Sequence, residues 1–140
     1  MRALILAATV ISVLSGVAPA SADPSSSALA YSPPFVDHTS WSQWNRLPSL
    51  RVYPTTTGRA AARQLGSAGP EAGEAWSEVL ALTPEAGTPG MREQFLCHWE
   101  FAEVLQPGKA SWNLEPWRPV VDDTTMVSSG CNPGGGPEPF

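Results

Sequence analysis

The sequence predicts an α+β domain in which two helices pack on one face of a small antiparallel sheet and one disulfide links the chain. Three observations lead to this prediction. Strand-like blocks occur on both sides of a central stretch, the central stretch carries two helix patterns, and the chain contains two cysteines. Strands that cluster rather than alternate regularly with helices are typical of α+β domains with antiparallel sheets.

The first 22 residues have the features of an export signal. Arg2 supplies the basic start, an apolar run follows over residues 3–14, and Ala20-Ser21-Ala22 has the pattern of small residues found at cleavage sites. The apolar run is shorter than the roughly 20 residues that a membrane span needs. We therefore predict a secreted, extracytoplasmic protein with residues 1–22 as signal peptide and no membrane span after its cleavage.

The mature chain is predicted to form one domain. Residues 23–34 are mostly Ser, Ala and Pro, and residues 134–140 are mostly Gly and Pro. Segments of this composition bury little apolar surface, so we expect a flexible leader and a flexible tail. The single α+β domain then extends over residues 35–133, a length that suits one hydrophobic core.

The charge balance bears on the class of partner. The chain has 8 Lys plus Arg against 13 Asp plus Glu, which gives a formal net charge of −5. Nucleic-acid binding derives its affinity from clustered basic side chains. We therefore expect no nucleic-acid partner and place the unknown partner among envelope components or proteins.

The first predicted elements are a β-hairpin and a short helix. Residues 35–44 are a strand candidate, and residues 49–54 alternate apolar and polar side chains up to a proline. The string "NRLP" at residues 45–48 predicts the hairpin turn. After the hairpin, Thr57 is the predicted N-cap of a helix over residues 59–65, which is rich in alanine.

A second helix and a third strand follow. Pro70 suits the first turn of a helix, and Trp76 and Val79 recur at helical spacing in a pattern that ends before Pro84. Aromatic and apolar residues at every second position of residues 91–105 predict a strand. The predicted core consists of apolar side chains from these blocks: Leu50, Val52, Leu65, Trp76, Val79, Leu80, Phe95, Trp99 and Phe101.

The two cysteines, Cys97 and Cys131, are predicted to form one disulfide. Oxidation is permitted in an exported protein, and two cysteines are enough for one bond. A metal site or a redox pair is the alternative, but the spacing is not that of C-x-x-C and two histidines do not complete a zinc pattern. We therefore predict no metal and no cofactor.

Three strings, "FLCHWEFA", "SWNLEPWRP" and "GCNPGG", resemble a family of small exported actinobacterial proteins, the domain of unknown function 2599. The resemblance runs from Trp41 to Gly135. It implies secretion, a single small domain and a pairing of Cys97 with Cys131. It implies no activity and no catalytic residues.

The first candidates for chemistry are His98 and Glu100, which a strand would place on one face. Such a pair suits acid–base catalysis or, with His38, metal binding. Paired carboxylates are able to hydrolyse glycosidic bonds, and the acids considered for such a pair are Glu100, Glu103, Glu115, Asp122 and Asp123. The alternative function is therefore a small hydrolase of cell-envelope glycan that uses Glu100 or Glu115 with His98. The competing structural interpretation is an ordinary polar sheet face.

The leading candidate is aromatic recognition by Trp112 and Trp117, with Asn113 and Arg118 as polar partners. Tryptophan offers a flat ring and an N–H donor, and the flanking prolines stiffen the segment. The same residues also suit a purely structural role. Alternation along the segment predicts that Trp112→Ala strongly destabilises the fold, whereas Trp117→Ala costs under about 0.5 kcal/mol and damages binding. We predict a non-enzymatic interaction module that uses this segment.

Overall fold

The computed structural model describes residues 29–64 and 68–136. The predicted signal peptide, Leu65 and residues 137–140 lie outside the described residues. The elements in chain order are β1 (Val36–Trp44), β2 (Leu47–Pro54), α1 (Thr56–Ala62), α2 (Pro70–Leu82), a 3₁₀ turn (Pro84–Ala86), α3 (Met91–Leu105), β3 (Trp112–Leu114) and α4 (Asp123–Ser128). Within the described residues the strands form one antiparallel sheet in the order β1-β2-β3. The predicted α+β class is confirmed.

The predicted hairpin is confirmed, and it forms the larger part of the sheet. The strands β1 and β2 pair from Val36↔Pro54 to Trp44↔Leu47. Asn45 and Arg46 form the turn with φ angles of 50° and 67°. Two-residue hairpin turns with positive φ match the twist of the flanking strands, and asparagine tolerates that conformation better than most residues. In this hairpin the apolar side chains of Leu50 and Val52 in β2 face the core that β2 shares with the helices.

Helix α1 begins earlier than predicted. The N-cap is Thr55 rather than Thr57, and its hydroxyl accepts a hydrogen bond of 2.9 Å from the Gly58 N–H. Each of the three consecutive threonines is a suitable N-cap residue. Because β2 ends at Pro54, the helix begins directly after the strand and Thr55 becomes the cap. A β-carbon at Gly58 would lie 2.2 Å from the Phe35 carbonyl oxygen, so this position requires glycine for close packing.

Helix α2 matches its prediction. It begins at Pro70, where the missing proline N–H costs no intrahelical hydrogen bond. It ends at Leu82, and Thr83, which precedes Pro84, has left the helical conformation. The buried stripe of this helix contains Ala72, Ala75, Trp76 and Val79.

The predicted strand over residues 91–105 is wrong, because this segment is helix α3. Phe95 and Trp99 lie four residues apart and face the main core, while Cys97 and Phe101 lie four residues apart and contact a second cluster around Met126. Two helical stripes offset by two residues produce an alternating sequence pattern. The helix is buried on two sides, so the pattern imitated a half-buried strand.

The core lies between the sheet and the helices α2 and α3. Trp112 is fully buried at its centre, with ring centroids of Phe95 and Trp99 at 6.1 and 5.9 Å. Six predicted core residues are buried: Leu50, Val52, Trp76, Val79, Phe95 and Trp99. Leu80 is half-buried against the same core, and Phe101 is half-buried against the second cluster.

The predicted disulfide is confirmed, and it joins Cys97 on α3 to Cys131 just after α4. At the other end of the described chain, Leu29 and Tyr31 pack against the core, and the Ala30 N–H donates to a Glu71 carboxylate oxygen at 2.6 Å. These residues belong to the segment predicted as leader. In the part of the chain that the structure describes, no helix has the length and apolar character to cross a membrane.

Candidate functional site

The segment from Ser111 to Pro119 contains the residues predicted to bind a partner, and the structure buries most of them. Trp112 and Asn113 lie in β3 and are buried, as is Arg118 in the turn that follows. Trp117 is 37% exposed. Trp117 is therefore the one of the four predicted binding residues that presents a substantial surface to a partner.

Glu115 and Arg118 form a buried ion pair at the centre of the segment. Arg118 Nε donates to Glu115 Oε2 at 2.7 Å, and the Ser49 hydroxyl donates to Glu115 Oε1 at 2.8 Å. Arg118 Nη1 also donates to the carbonyl oxygens of Pro133 and Gly135, at 3.2 and 2.9 Å. The pair thus ties β2, the turn after β3 and the C-terminal segment together.

Gln94 connects this segment to helix α3. Its side-chain Nε2 donates to the Glu115 carbonyl at 3.0 Å, and its Oε1 accepts from the Glu115 N–H at 2.9 Å. Gln94 is fully buried. A strand over residues 91–105 would place Gln94 on the face opposite the aromatic residues, so its burial against Glu115 was not predicted.

Trp117 is held in place from two directions. Its indole N–H donates to the Pro48 carbonyl at 2.9 Å, and the Arg118 guanidinium carbon lies 4.5 Å from the ring centroid. A cation over an indole ring is an attractive arrangement. Arg118 is buried and is itself fixed by hydrogen bonds to Glu115 and Pro133. The indole of Trp117 is therefore a preorganised, partly exposed ring.

One further apolar side chain is exposed next to the hydrogen-bond partner of Trp117. Leu47 precedes Pro48, whose carbonyl accepts from the Trp117 indole, and is 41% exposed. Trp41 is 42% exposed, but it pairs with Leu50, which lies three residues from Leu47, so Trp41 and Leu47 point to opposite faces of the sheet. We call Leu47 and Trp117 the hairpin-end surface. Leu47 was not predicted as a binding residue.

The helical structure of α3 separates His98 from Glu100. Side chains two residues apart on a helix point in different directions, so the predicted shared face does not form. His98 is buried, and its ring Nδ1 lies 2.8 Å from the Gln94 carbonyl, which can only accept a hydrogen bond. Glu100 Oε1 instead accepts from the Ala68 N–H at 3.1 Å.

The remaining candidate acids are spread over the fold. Glu103 is buried and forms ion pairs with Arg59 and, at 2.9 Å, with Arg63. His38 is exposed on β1, where it contacts Asp37 and stacks on Tyr53. Across residues 29–64 and 68–136, no group of three His, Cys, Asp or Glu side chains is placed to hold a metal ion.

Asp122 and Asp123 lie at the start of α4, and Asp122 is its N-cap. The Thr125 N–H donates to Asp122 Oδ1 at 2.7 Å. This backbone hydrogen bond, supported by one from the Thr125 side chain, lowers the pKa of Asp122 below its usual value of 3.8. Both bonds stabilise the charged carboxylate, as is usual for an N-cap aspartate.

We expect the Asp122 cap of α4 to weaken as the pH falls below 3.8. A folded-state pKa below the unfolded one means that the stabilisation is present above the unfolded pKa and is lost as pH falls through the folded pKa. The amide proton shift of Thr125, followed by NMR, should therefore titrate with a midpoint below 3.8. In the Asp122→Asn variant the cap remains but the titration should disappear. A midpoint above 3.8 in the parent protein would contradict this assignment.

Comparisons with known proteins return relatives of undetermined function. The sequence model of a family described as "Protein of unknown function (DUF2599)" matches residues 36–134. Proteins named "Uncharacterized protein" from Mycobacterium tuberculosis (strain ATCC 25618 / H37Rv) and Mycobacterium bovis are each 56% identical, over alignments that cover 100% of both chains. One from Mycobacterium leprae is 52% identical over 72% of this chain and 80% of its own. No solved structure matches.

Proposed function

The chain belongs to the family described as Protein of unknown function (DUF2599), and we propose that it is a secreted, non-enzymatic interaction module. In this proposal the hairpin-end surface binds a component of the cell envelope or another exported protein. The role extends the predicted function of Trp117 to the neighbouring side chain of Leu47. It assigns Trp112, Asn113 and Arg118 to the support of that surface.

Export is supported by the disulfide and by the sequence of the first 22 residues. Disulfides form and persist outside the cytoplasm, where no thiol-reducing system opposes them. The Cys97–Cys131 bond closes over a sequence separation of 34 residues in a small domain. The basic start, apolar run and small-residue cleavage pattern of residues 1–22 are typical of a secretory signal.

The observation that carries the proposed binding role is the fixed, partly exposed ring of Trp117. Tryptophan is enriched among the side chains that dominate binding energy, because one rigid ring buries a large apolar area. The Pro48 hydrogen bond and the Arg118 contact fix the ring before any partner arrives. Less conformational entropy is then lost on binding than with a mobile side chain.

The arrangement of the acids supports a binding role over hydrolysis. A general acid and a general base must meet at one substrate. The carboxylates of Glu103 and Glu115 are buried against arginines, and Glu100 accepts from a backbone N–H. These acids hold the fold together at different places.

The test is capture of partners by the mature chain, residues 23–140. The immobilised protein is incubated with the envelope fraction and the culture filtrate of the producing organism, and retained proteins and glycans are identified. Any specifically retained component is then titrated against the protein in solution. We expect Trp117→Ala, and separately Leu47→Ser, to weaken its binding by about tenfold or more, as loss of a central contact does.

Val104→Ser is the matched control, since Val104 on α3 is 47% exposed and lies outside the hairpin-end surface. Its binding should equal that of the parent protein. Circular dichroism checks that each variant is folded. Equal binding by all variants, or no specifically retained component, would contradict the proposed use of this surface.

A further inference from the structure

The outer edge of β1 carries backbone groups that point away from β2. In an antiparallel ladder, residue pairs that exchange hydrogen bonds alternate with pairs that do not. Trp44 and Leu47 close the two-residue turn and therefore form a bonded pair. Pro48, which lies opposite Gln43 and has no N–H, suits the next, non-bonded pair. By this alternation, the residues whose N–H and C=O groups point away from β2 are Gln43, Trp41 and Thr39.

A side chain of α2 already closes the beginning of this edge. Glu78 Oε2 accepts hydrogen bonds from the N–H groups of Phe35 and Val36, at 2.8 and 2.7 Å. Farther along, no strand within residues 29–64 and 68–136 pairs with the outer side of β1. The open part of the edge therefore runs from residue 39 to residue 43, and Trp41 is its midpoint.

The side chain at this midpoint is exposed on the core side of the sheet. Trp41 lies opposite Leu50, and side chains that lie directly opposite each other share a face. Leu50 is fully buried, whereas Trp41 is 42% exposed. The core therefore ends before Trp41, and part of a large apolar ring remains uncovered beside the open backbone groups.

We propose that β1 pairs with β1 of a second copy of this protein, antiparallel and across a two-fold axis at Trp41. Unpaired N–H and C=O groups on an edge strand readily pair with another chain. In this register Trp41 of one copy lies opposite Trp41 of the other, and Thr39 lies opposite Gln43. One continuous sheet then runs through both copies. The inference does not depend on the function proposed for the hairpin-end surface.

The position of the open edge determines the register. With the axis at Trp41, all outward N–H and C=O groups of residues 39, 41 and 43 acquire partners in both copies. An axis at Ser40 would place Gln43 opposite Asp37, next to the irregular pairing at the beginning of β1. An axis at Ser42 would place Thr39 opposite the turn. Only the axis at Trp41 pairs the open edge with itself along its whole length.

The charges at the two ends of β1 suit the same arrangement. Asp37 lies near its beginning and Arg46 lies in the turn after its end, and both side chains are exposed. The antiparallel register brings Arg46 of each copy opposite Val36 of the other, beside Asp37. Opposite charges on neighbouring strands attract, and like charges directly opposite each other repel. A second copy thus supplies the backbone groups, the apolar ring and the charges that this edge requires.

Sedimentation equilibrium of the mature chain, residues 23–140, measures the association. We expect the mass to rise with protein concentration from that of one chain to that of two chains. The mass of one chain at every concentration, or growth beyond two chains, would overturn the proposal.

Gln43→Pro tests the backbone contact. Proline removes an N–H that points away from β2 and leaves the hydrogen bonds between β1 and β2 in place. Because the two-fold arrangement uses this N–H in both copies, the dissociation constant of the dimer should rise about tenfold or more. Gln43→Ala keeps the N–H and is the matched control, which should associate like the parent protein.

Trp41→Lys tests the side chain at the axis. It replaces the two facing rings by two like charges, and we expect the dissociation constant to rise about tenfold or more. Val104→Lys introduces the same charge on α3, where Val104 is 47% exposed, and should leave association unchanged. Circular dichroism checks that each variant is folded.

The double variant Thr39→Cys with Gln43→Cys tests the register. The α-carbons of a bonded antiparallel pair lie about 5.5 Å apart, within the range of a disulfide. Within one chain the two positions are roughly 13 Å apart along the strand, which is too far. Mild oxidation should therefore join two chains of the double variant covalently. Either single variant places its two cysteines at opposite ends of the paired segment and should not be joined, as non-reducing electrophoresis will show.

These variants also define failure. Unchanged association of both Gln43→Pro and Trp41→Lys would place the interface elsewhere and overturn the proposal. If Gln43→Pro does not fold, the comparison of Trp41→Lys with Val104→Lys decides alone. Absence of a covalent dimer from the double variant, or equal yields from the single variants, would contradict the two-fold register at Trp41.

Discussion

Replacing Trp112 by alanine should lower the free energy of unfolding by about 3 to 5 kcal/mol, the usual cost of removing a buried aromatic side chain. Trp112 is fully buried and contacts both Phe95 and Trp99, so its removal leaves a cavity among rings that cannot close it. Urea unfolding, followed by far-ultraviolet circular dichroism, measures the change. A domain of this size has little stability beyond that range.

Trp117→Ala is the matched control within the same segment. Trp117 is 37% exposed, so it loses less buried area, but it also loses the hydrogen bond to Pro48. We expect a cost of about 1 to 2 kcal/mol, which is more than the 0.5 kcal/mol expected from sequence because that bond was not foreseen. If both substitutions lowered the free energy of unfolding by the same amount, the predicted difference would be wrong and Trp117 would be a structural residue.

Breaking the Glu115–Arg118 pair should have an effect of similar size. Arg118→Met retains an apolar side chain of comparable length but leaves the Glu115 carboxylate buried with only the Ser49 hydroxyl as a described side-chain partner. Removing one member of a buried ion pair typically costs about 3 to 5 kcal/mol, because the remaining charge is uncompensated. The C-terminal segment also loses the hydrogen bonds to Pro133 and Gly135.

The double variant Glu115→Leu with Arg118→Met provides the control. Replacing a buried pair by apolar side chains is often neutral or stabilising, since no charge then has to be kept out of water. The double variant should therefore be more stable than Arg118→Met alone, and urea unfolding of the four proteins gives the coupling energy. A double variant that is less stable than both single variants would mean that the pair contributes through its hydrogen bonds rather than through mutual compensation of charge.

The elements that sequence could predict are those with local signals. The hairpin follows from an Asn-containing turn between two strand-like blocks, and α2 follows from Pro70 at its start and apolar residues at helical spacing. Both signals depend on residues that lie close together in the chain. The start of α1 was displaced because three consecutive threonines are all suitable caps, and only the end of the strand selects Thr55.

Helix α3 was not predictable from its apolar pattern alone. One buried stripe of α3 packs against the core under the sheet, and the other packs against α4. The sequence of residues 91–105 does not indicate either of these packing partners. Because residues 91–105 form a helix rather than a strand, the contacts of the candidate residues also differ from those predicted. The pairing of His98 with Glu100 depended on a strand, whereas the contacts of Gln94 and His98 depend on the helix.

The difference between the two tryptophans of the quoted segment was closer to the sequence expectation. Alternation along an extended chain, interrupted by Pro116, indicated that they need not face the same way, and their exposures differ accordingly. The anchoring of Trp117 to Pro48 joins residues 69 positions apart. A contact between residues so far apart follows from the complete fold, and the local sequences around Pro48 and Trp117 do not indicate it.

The side chain of Gln94 has a consequence for association between copies of the protein. β3 is a border strand of the sheet, and outward-pointing N–H and C=O groups on such a strand are a template on which a foreign strand can assemble. Just after β3, at Glu115, both groups are already bonded to one glutamine amide from the same chain. Gln94, on α3, thereby occupies two backbone groups at this border with which a foreign strand would otherwise pair.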